Sequence, residues 1–319
     1  MKLNKPKFWD NKFNAISFLL YPFSLIVILT IFLKKKFTKK IKFDVPVICV
    51  GNINMGGTGK TPVVIDLVAR LLEMGKKPIV VSRGYGGSHK GPVMVSPKHT
   101  ADDVGDEPIL LTGFSGVCVS RNRKEGAQMA IKRGADVIIL DDGLQNPDLS
   151  YDLTITVVDQ QVGFGNSRVF PAGPLRETVK NGLLRTDLIV ALGGRDLPSI
   201  NNVPCISGFL KPLETGMDWD GLRSYAFAGI GRPEKFFTTL KKLGAVIVAT
   251  REFGDHQKIP ESILKRLEAE ASLSNSQLVT TEKDAARLPK NWQLKVLTLP
   301  VRLSLNEENK LNHLLNKLF

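Results

Sequence analysis

The sequence predicts an α/β protein with a mostly parallel sheet covered by helices on both faces, a second smaller α/β domain, and an N-terminal membrane helix. Three observations support this fold class. Short runs rich in valine and isoleucine alternate with helical stretches from residue 43 onward. Such runs are typical of parallel strands buried on both faces. A glycine-rich loop follows the first run, and an uncharged stretch long enough to cross a bilayer precedes it.

The N-terminal element is the uncharged stretch 13–33. As a helix it is about 30 Å long, which matches the hydrocarbon core of a bilayer. A cleavable secretory signal is the main alternative, but the stretch is long and lacks a small-residue cleavage site before Lys34. Because the denser lysine cluster follows the stretch, the positive-inside rule keeps the rest of the chain in the cytoplasm. The pattern leaves open whether the helix spans the membrane or dips into one leaflet.

The net charge of +13 is concentrated at the N-terminus. Residues 1–42 contain ten lysines and one aspartate, so they carry +9 of that charge. The remainder is nearly balanced, which argues against a nucleic-acid partner and favours an anionic membrane surface. The three cysteines are far apart, without the spacing of a zinc site or a disulfide framework. They are expected to be buried thiols in a reducing compartment.

The predicted strands form two sets, separated by a proline- and glycine-containing linker at 211–221. The first set is 45–50, 78–82, 116–120, 136–140, 153–159 and 187–192. The second set is 225–228, 245–249, 277–280 and 295–299. Helices are predicted at 63–72, 233–243 and 260–272 from their spacing of apolar residues. The expected organisation is therefore an anchor at 1–42, a first domain at 43–214 and a smaller domain at 215–319.

A phosphate-binding loop is predicted directly after strand 45–50. Its sequence is Gly-Asn-Ile-Asn-Met-Gly-Gly-Thr-Gly-Lys-Thr, and Pro62 then opens a helix. Backbone N–H groups, a helix N-terminus, a lysine and a hydroxyl for Mg²⁺ are what a nucleotide triphosphate requires. The strict P-loop pattern has glycine where this chain has Asn54, a mild departure because asparagine tolerates left-handed backbone. The predicted nucleotide contacts are Asn54, Met55, Gly56, Gly57, Thr58, Gly59, Lys60 and Thr61.

A second nucleotide element is predicted at the end of strand 136–140. There an apolar run ends in Asp141 and Asp142. Carboxylates at this position lie beside the P-loop threonine, where Mg²⁺ binds. Together the two elements predict a P-loop NTPase-like protein that uses ATP and Mg²⁺.

Eight short motifs, in one order, make the sequence resemble the lipid A 4'-kinase (tetraacyldisaccharide 4'-kinase) family over essentially its whole length. They are residues 51–62, 82–87, 105–108, 141–145, 170–177, 228–233, 255–256 and 280–284. The resemblance implies transfer of a phosphoryl group from ATP to the 4'-hydroxyl of an acylated glucosamine disaccharide 1-phosphate, a step toward lipid A. It also implies two α/β domains around a cleft, at the cytoplasmic face of the inner membrane.

The resemblance also implies roles for residues at the matching positions. Lys60 and Thr61 are expected to hold the β- and γ-phosphates and Mg²⁺. Carboxylates for the metal are expected from Glu107, Asp141 and Asp142. Asp106, paired with His256, is expected to take the proton from the sugar hydroxyl, although a water molecule remains an alternative base. Residues expected to line the nucleotide or substrate cleft are Arg83, Tyr85, Arg123 and Gln145. Arg176 and Glu177 fit a structural ion pair as well as a substrate contact.

One position departs from the family pattern. Many members have histidine after the Asp-Asp-Gly-x-Gln run, where this chain has Asn146, which cannot titrate near neutral pH. Two other classes remain open: a membrane-associated regulatory ATPase and a nucleotide-gated scaffold. The first usually has a second lysine in the loop, where this chain has Met55. The second needs no Asp106–His256 pair. The sequence gives no oligomeric state.

Overall fold

The structure is a computed structural model that describes residues 6–193, 199–200, 202–255 and 257–319. The described helices are α1 Ala15–Phe37, α2 Lys60–Glu73, α3 Ala101–Val104, α4 Asp106–Leu111, α5 Arg123–Lys132, α6 Val179–Leu183, α7 Pro233–Lys242, α8 Glu261–Leu273, α9 Glu282–Ala286, α10 Lys290–Gln293 and α11 Glu308–Asn316. The described strands are β1 Val47–Gly51, β2 Pro78–Ser82, β3 Val93–Met94, β4 Gly116–Val119, β5 Val137–Asp141, β6 Leu153–Asp159, β7 Leu188–Leu192, β8 Ser199–Ile200, β9 Val203–Pro212, β10 Arg223–Ala228, β11 Val246–Glu252, β12 Gln277–Thr281, β13 Leu297–Leu299 and β14 Val301–Leu305.

The large sheet confirms the predicted α/β class. Its strand order is β14-β9-β7-β6-β1-β5-β2-β4-β3, with β8 added beside β9. The pairings from β4 through β9 are parallel, and the two outer pairings, β3 with β4 and β14 with β9, are antiparallel. Every residue of β1 and β5 is buried, as their continuous apolar sequences require. Because β1 lies between β5 and β6, loops diverge at its carboxyl end and leave a crevice there.

The small sheet is parallel throughout, in the order β11-β10-β12-β13. Alternate residues of β10 point to opposite faces. Tyr225 and Phe227 pack with Leu264 and Leu267 of α8, while Ala226 packs in a second cluster with the phenylalanines of α7. This sheet therefore has its own core on each face. That agrees with a second α/β unit, although the division into domains remains a proposal.

After the small sheet the chain returns to the large one. Strand β14 pairs antiparallel with β9, and α11 packs its leucines against the core beneath α2. Arg70 of α2 bonds to Asn312 at 2.9 Å and pairs with Glu308 at 3.3 Å. Residues 301–316 thus belong structurally with the large sheet, although the sequence placed them with the range 215–319. Neither β9 nor β14 was predicted from the sequence.

The N-terminal helix α1 lies against the large-sheet unit along one face only. It is the one helix in the described part of the chain that is long and apolar enough to cross a membrane, and 11% of its most apolar window is buried. Its buried positions include Ser17 and Ser24, whose hydroxyls donate to the carbonyls of Ala172 and Val169 at 2.6 and 2.7 Å. The opposite faces expose large apolar side chains, among them Leu19, Phe23, Ile26 and Leu29.

Candidate active site

The phosphate loop connects β1 to α2 in a shape that only glycine permits at one point. Gly59 precedes α2 with φ of 88°, in the left-handed region. A Cβ atom there would also lie 2.4 Å from Leu192 Cδ1, so a side chain would strain the backbone and displace the end of Leu192. The loop therefore leads directly into the N-terminus of a 14-residue helix, whose free N–H groups favour an anion.

Lys60 lies at the first position of α2, with its amino group turned back along the loop. Its Nζ is 3.4 Å from Asn52 Oδ1 and 3.4 Å from Asp142 Oδ1. Asn54 is tied to the body instead, since its Nδ2 donates to the Gly163 carbonyl at 2.8 Å. Met55 is 44% exposed, while the Thr58 hydroxyl oxygen is buried without a hydrogen-bond partner among the described residues. The predicted loop residues thus lie together. The side chain of Asn54, however, anchors the loop to the body of the protein.

Four oxygen-bearing side chains gather below the loop. The Thr61 hydroxyl lies 3.3 Å from Glu107 Oε1, and Ser82 donates to Asp141 Oδ2 at 3.1 Å. Asp141 Oδ1 is buried and has no hydrogen-bond partner in the part of the chain that the structure describes. Burial, and next the charge of Glu107, raise the pKa of Asp141 to about 7. A cation placed among these oxygens would relieve both costs.

Asp142 is held by two cations. Arg176 Nη1 lies 2.8 and 2.9 Å from its two carboxylate oxygens, in addition to the contact with Lys60. Burial alone would raise the pKa of Asp142, but the charges of Lys60 and Arg176 outweigh it and lower the pKa. Gln145 joins this group, because it accepts from Arg176 at 3.2 Å and donates to the Asn52 carbonyl at 2.9 Å. The Asp-Asp-Gly-x-Gln motif therefore braces the start of the phosphate loop.

The opposite side of the cleft is supplied by the small-sheet unit. Lys283 of α9 places its Nζ 3.2 Å from Glu107 Oε1 and 3.9 Å from Asp255 Oδ1. Burial would lower the pKa of Lys283, but the charges of Glu107, Asp255 and Asp106 outweigh it and raise the pKa. The sequence flagged the motif at 280–284 without a role for this lysine. That motif was the one sign in the sequence that could have pointed to Lys283. Its partner Glu107 lies 176 positions earlier in the chain.

Asp106 begins α4 beside Glu107 and is 6% exposed. Its Oδ1 accepts a hydrogen bond from the Glu107 backbone N–H at 3.0 Å. The predicted partner His256 lies outside the described residues. The neighbouring Asp255 is described, and its Oδ1 lies 3.9 Å from Lys283 Nζ, so Asp255 itself reaches the cleft.

The remaining predicted cleft residues divide into two groups. Arg83 and Tyr85 are exposed on the loop after β2, where a Cβ on Gly87 would lie 2.7 Å from the Gly105 backbone nitrogen. This loop therefore runs against the segment that leads to Asp106. Arg123 is buried instead, and it donates to the carbonyls of Ser120 and Asp141 at 2.8 and 3.2 Å. Arg123 therefore supports the carboxyl end of β5 from within the protein interior.

A second bridge joins the two units beside the cleft. Asp159, at the carboxyl end of β6, is buried and pairs with Arg232 and with Lys235, the latter at 3.5 Å. Both cations flank the N-terminus of α7, so they belong to the small-sheet unit. Lys258 also contacts Asp102 of α3.

Comparisons with known proteins identify the family of this chain. The family model described as tetraacyldisaccharide-1-P 4'-kinase matches residues 16–319. The chain is 45% identical to the tetraacyldisaccharide 4'-kinase of Jannaschia sp. (strain CCS1), with 99% of each chain covered. It is 51% identical to that of Dinoroseobacter shibae (strain DSM 16493 / NCIMB 14021 / DFL 12), covering 86% of this chain and 85% of the relative.

A solved structure gives the same result in three dimensions. The crystal structure of the Aquifex aeolicus LpxK in complex with ATP superimposes with a TM-score of 0.78 at 29% identity. The match covers 96% of this chain and 100% of that one. These likenesses extend over both sheets and the cleft between them. The chain belongs to the tetraacyldisaccharide-1-P 4'-kinase family.

Proposed function

We propose that this protein transfers the γ-phosphoryl group of ATP to the 4'-hydroxyl of an acylated glucosamine disaccharide 1-phosphate, as a step in lipid A biosynthesis. One observation carries the proposal. A phosphate loop with its lysine, a group of buried and half-buried carboxylates, and a separate buried aspartate at a helix start surround a single cleft. Family membership supports the identity of the acceptor.

ATP would bind with its phosphates at the N-terminus of α2, as the solved relative's complex with ATP supports. Backbone N–H groups and the helix dipole favour the negative charge there. Lys60 pairs with Asp142 in the structure and is the cation nearest the loop. On ATP binding its amino group would exchange this partner for the β- and γ-phosphates. That exchange stabilises the charge that spreads over the transferring group.

The residues around Thr61 fit a magnesium ion. No three His, Cys, Asp or Glu side chains cluster as a metal cage within the described residues. Mg²⁺ nevertheless needs only one or two carboxylates besides phosphate oxygens and water. Thr61, Glu107 and Asp141 offer hard oxygen donors, and the partnerless buried oxygen of Asp141 fits this role. The ion would supply charge neutralisation at the phosphates. Asp142, which is already paired with Arg176, is the weaker of the predicted ligands.

Asp106 is the proposed base, or the residue that orients a water molecule in that role. Its buried position beside Glu107 favours a proton-accepting carboxylate. Lys283 faces the same acidic side chains from the small-sheet unit. Its positive charge would stabilise the negative charge that develops as the sugar hydroxyl loses its proton. His256 is proposed as the partner of Asp106 on the basis of the resemblance.

The proposed location is the cytoplasmic face of the inner membrane. The exposed apolar sides of α1 match an acyl environment, and the lysines that follow them match anionic headgroups. Two open cavities of about 340 and 240 Å³ lie along the docked face of α1. The smaller is lined by apolar residues of α1 together with Lys35 and Arg185. A lipid acceptor held in the same bilayer would thus reach the cleft without leaving the membrane.

The test is transfer of labelled γ-phosphate from Mg-ATP to tetraacyldisaccharide 1-phosphate in detergent micelles. Wild type is compared with Asp106→Asn and with Asp218→Asn, which changes an exposed aspartate that is not one of the cleft residues. We expect product from wild type and Asp218→Asn, and a loss of about 100-fold or more in Asp106→Asn. ATP hydrolysis without any lipid product in wild type would reject the kinase and favour the membrane-associated ATPase.

A further inference from the structure

Glu177 is a buried carboxylate between the N-terminal helix and the phosphate loop. Its side chain is 2% exposed, and it accepts hydrogen bonds from three sides. Lys35 Nζ lies at 2.6 Å, Arg185 Nη2 at 2.6 and 2.7 Å, and Gln145 Nε2 at 3.2 Å. A carboxylate this deeply buried depends on its partners, because an unpaired buried charge is costly. Arg185 lies eight residues along the same segment, whereas Lys35 comes from α1.

The contacts continue from Glu177 to the phosphate loop. Gln145 bonds both Glu177 and the carbonyl of Asn52, the residue that follows β1. Arg176 bonds Gln145 and grips Asp142, which in turn pairs with Lys60. An uninterrupted series of charged and amide contacts thus runs from α1 to the lysine of the phosphate loop. All of its members are half-buried or buried, so solvent screens these interactions only in part.

We propose that Glu177 is a positioning residue of the nucleotide site, and that it conveys the docked position of α1, through Lys35, to Gln145 and the phosphate loop. This inference rests on the kinase function proposed above and adds a regulation of the same site. With Lys35 in place, Glu177 holds Gln145 against the Asn52 carbonyl and leaves Arg176 on Asp142. The loop is then fixed in the shape that receives ATP, so nucleotide binding is tightest when α1 is docked.

The docked face of α1 fixes which lysine takes part. Ser17 and Ser24 are seven residues apart, and Lys35 follows eleven residues later, so all three fall on one side of an α-helix. The two serines bond the carbonyls of Ala172 and Val169, which sets the height and rotation of the helix. The docked helix therefore places Lys35 against Glu177, and the Lys35 side chain is 26% exposed. Lys36 points outward and is exposed.

The experiment measures ATP affinity of the full-length protein in neutral detergent micelles, with no lipid acceptor present. Lys35→Met is compared with Lys36→Met, since each removes one charge from the same cluster and only the first reaches Glu177. We expect Lys35→Met to raise the Kd for ATP roughly 5-fold relative to Lys36→Met. Lys35→Arg keeps the cation and should recover most of the affinity. Equal Kd values for the two methionine variants would overturn the proposal.

A second comparison separates positioning from simple stability. In a Glu177→Gln background the Lys35→Met change should add little to the Kd, because the charge it paired with is already gone. A lower Tm with unchanged ATP affinity in Lys35→Met would also overturn the proposal, since it would show a purely structural contact. The proposed function fails by a different result: wild type that binds ATP but transfers no phosphate to the lipid. The affinity comparison does not depend on that outcome.

Discussion

The two walls of the cleft are built from different kinds of contact. On the large-sheet side, Asp141 and Lys60 extend from β5 and α2, whose residues are packed into the main core. On the small-sheet side, Lys283 and Arg232 reach across on ion pairs with Glu107 and Asp159. The first wall is thus fixed by burial, and the second is held in place by charge. We therefore expect changes on the first wall to abolish chemistry, and changes on the second to alter how well the cleft closes.

The largest effect is expected from Lys60→Ala. Loss of the cation at the start of α2 removes stabilisation of the transferring phosphoryl group, so kcat/KM should fall by about 1,000-fold. Labelled-phosphate transfer measures this, with the exposed Lys77→Ala as the matched control. Near-normal turnover in Lys60→Ala would show that this wall does not carry the chemistry.

A smaller loss of activity, joined to a gain in stability, is expected from Asp141→Asn. The Asp141 carboxylate is buried with one oxygen unpartnered among the described residues and with Glu107 nearby, so its charge destabilises the metal-free protein. Removing that charge should raise the Tm of the nucleotide-free protein by a few degrees and lower transfer about 100-fold. Thermal unfolding without Mg²⁺ and the transfer assay give the two readings. A lower Tm would contradict this account of the buried oxygen.

On the small-sheet wall, Lys283→Met should affect turnover more than nucleotide binding. Lys283 touches the acids from outside the phosphate loop, so kcat is expected to fall about 10-fold while the Kd for ATP changes less than 3-fold. Lys283→Arg keeps the cation and should retain more activity. Equal losses in kcat and in ATP affinity would place Lys283 with the nucleotide wall instead.

The smallest effect is expected from Arg232→Met, which leaves Lys235 on Asp159. We expect kcat/KM for the lipid to fall by about 2- to 5-fold, because one of two cations of the bridge remains. Since charge holds this wall, raising the salt concentration should lower wild-type activity and narrow the difference from the variant. Lys241→Met, on the exposed face of α7, is the control. If raised salt changed the activity of neither protein, charge would not hold the second wall, and the distinction between the two walls would be wrong.

The sequence predicted the parts of the molecule that local pattern specifies. The six strand predictions before residue 193 all correspond to strands of the large sheet, because each is a short apolar run followed by a turn. The phosphate loop was recognisable because its glycines, lysine and hydroxyl are contiguous. Strand β9 was missed, since two prolines and a glycine interrupt its sequence. Strand β14 was missed because it gains its place only by pairing with β9.

For the candidate site, the sequence indicated which motifs lie near one another better than it indicated their contacts. Glu107 and Asp141 were expected to be close, and the structure brings them together around Thr61. The pairing of Lys283 with Glu107 depends on how two separate sheets meet, which no local pattern encodes. The choice at Glu177 between an ion pair and a substrate contact also required the structure, since two of its partners, Lys35 and Gln145, come from distant segments.

The return of the chain to the large sheet has a consequence for biosynthesis. Strand β14 and α11 follow the entire small sheet in the chain, so they are synthesised after it. Until they emerge, β9 lacks its antiparallel neighbour and the leucines of α11 are missing from the core beneath α2. The large-sheet unit therefore stays incomplete, with an open sheet edge, until the whole small sheet has been synthesised.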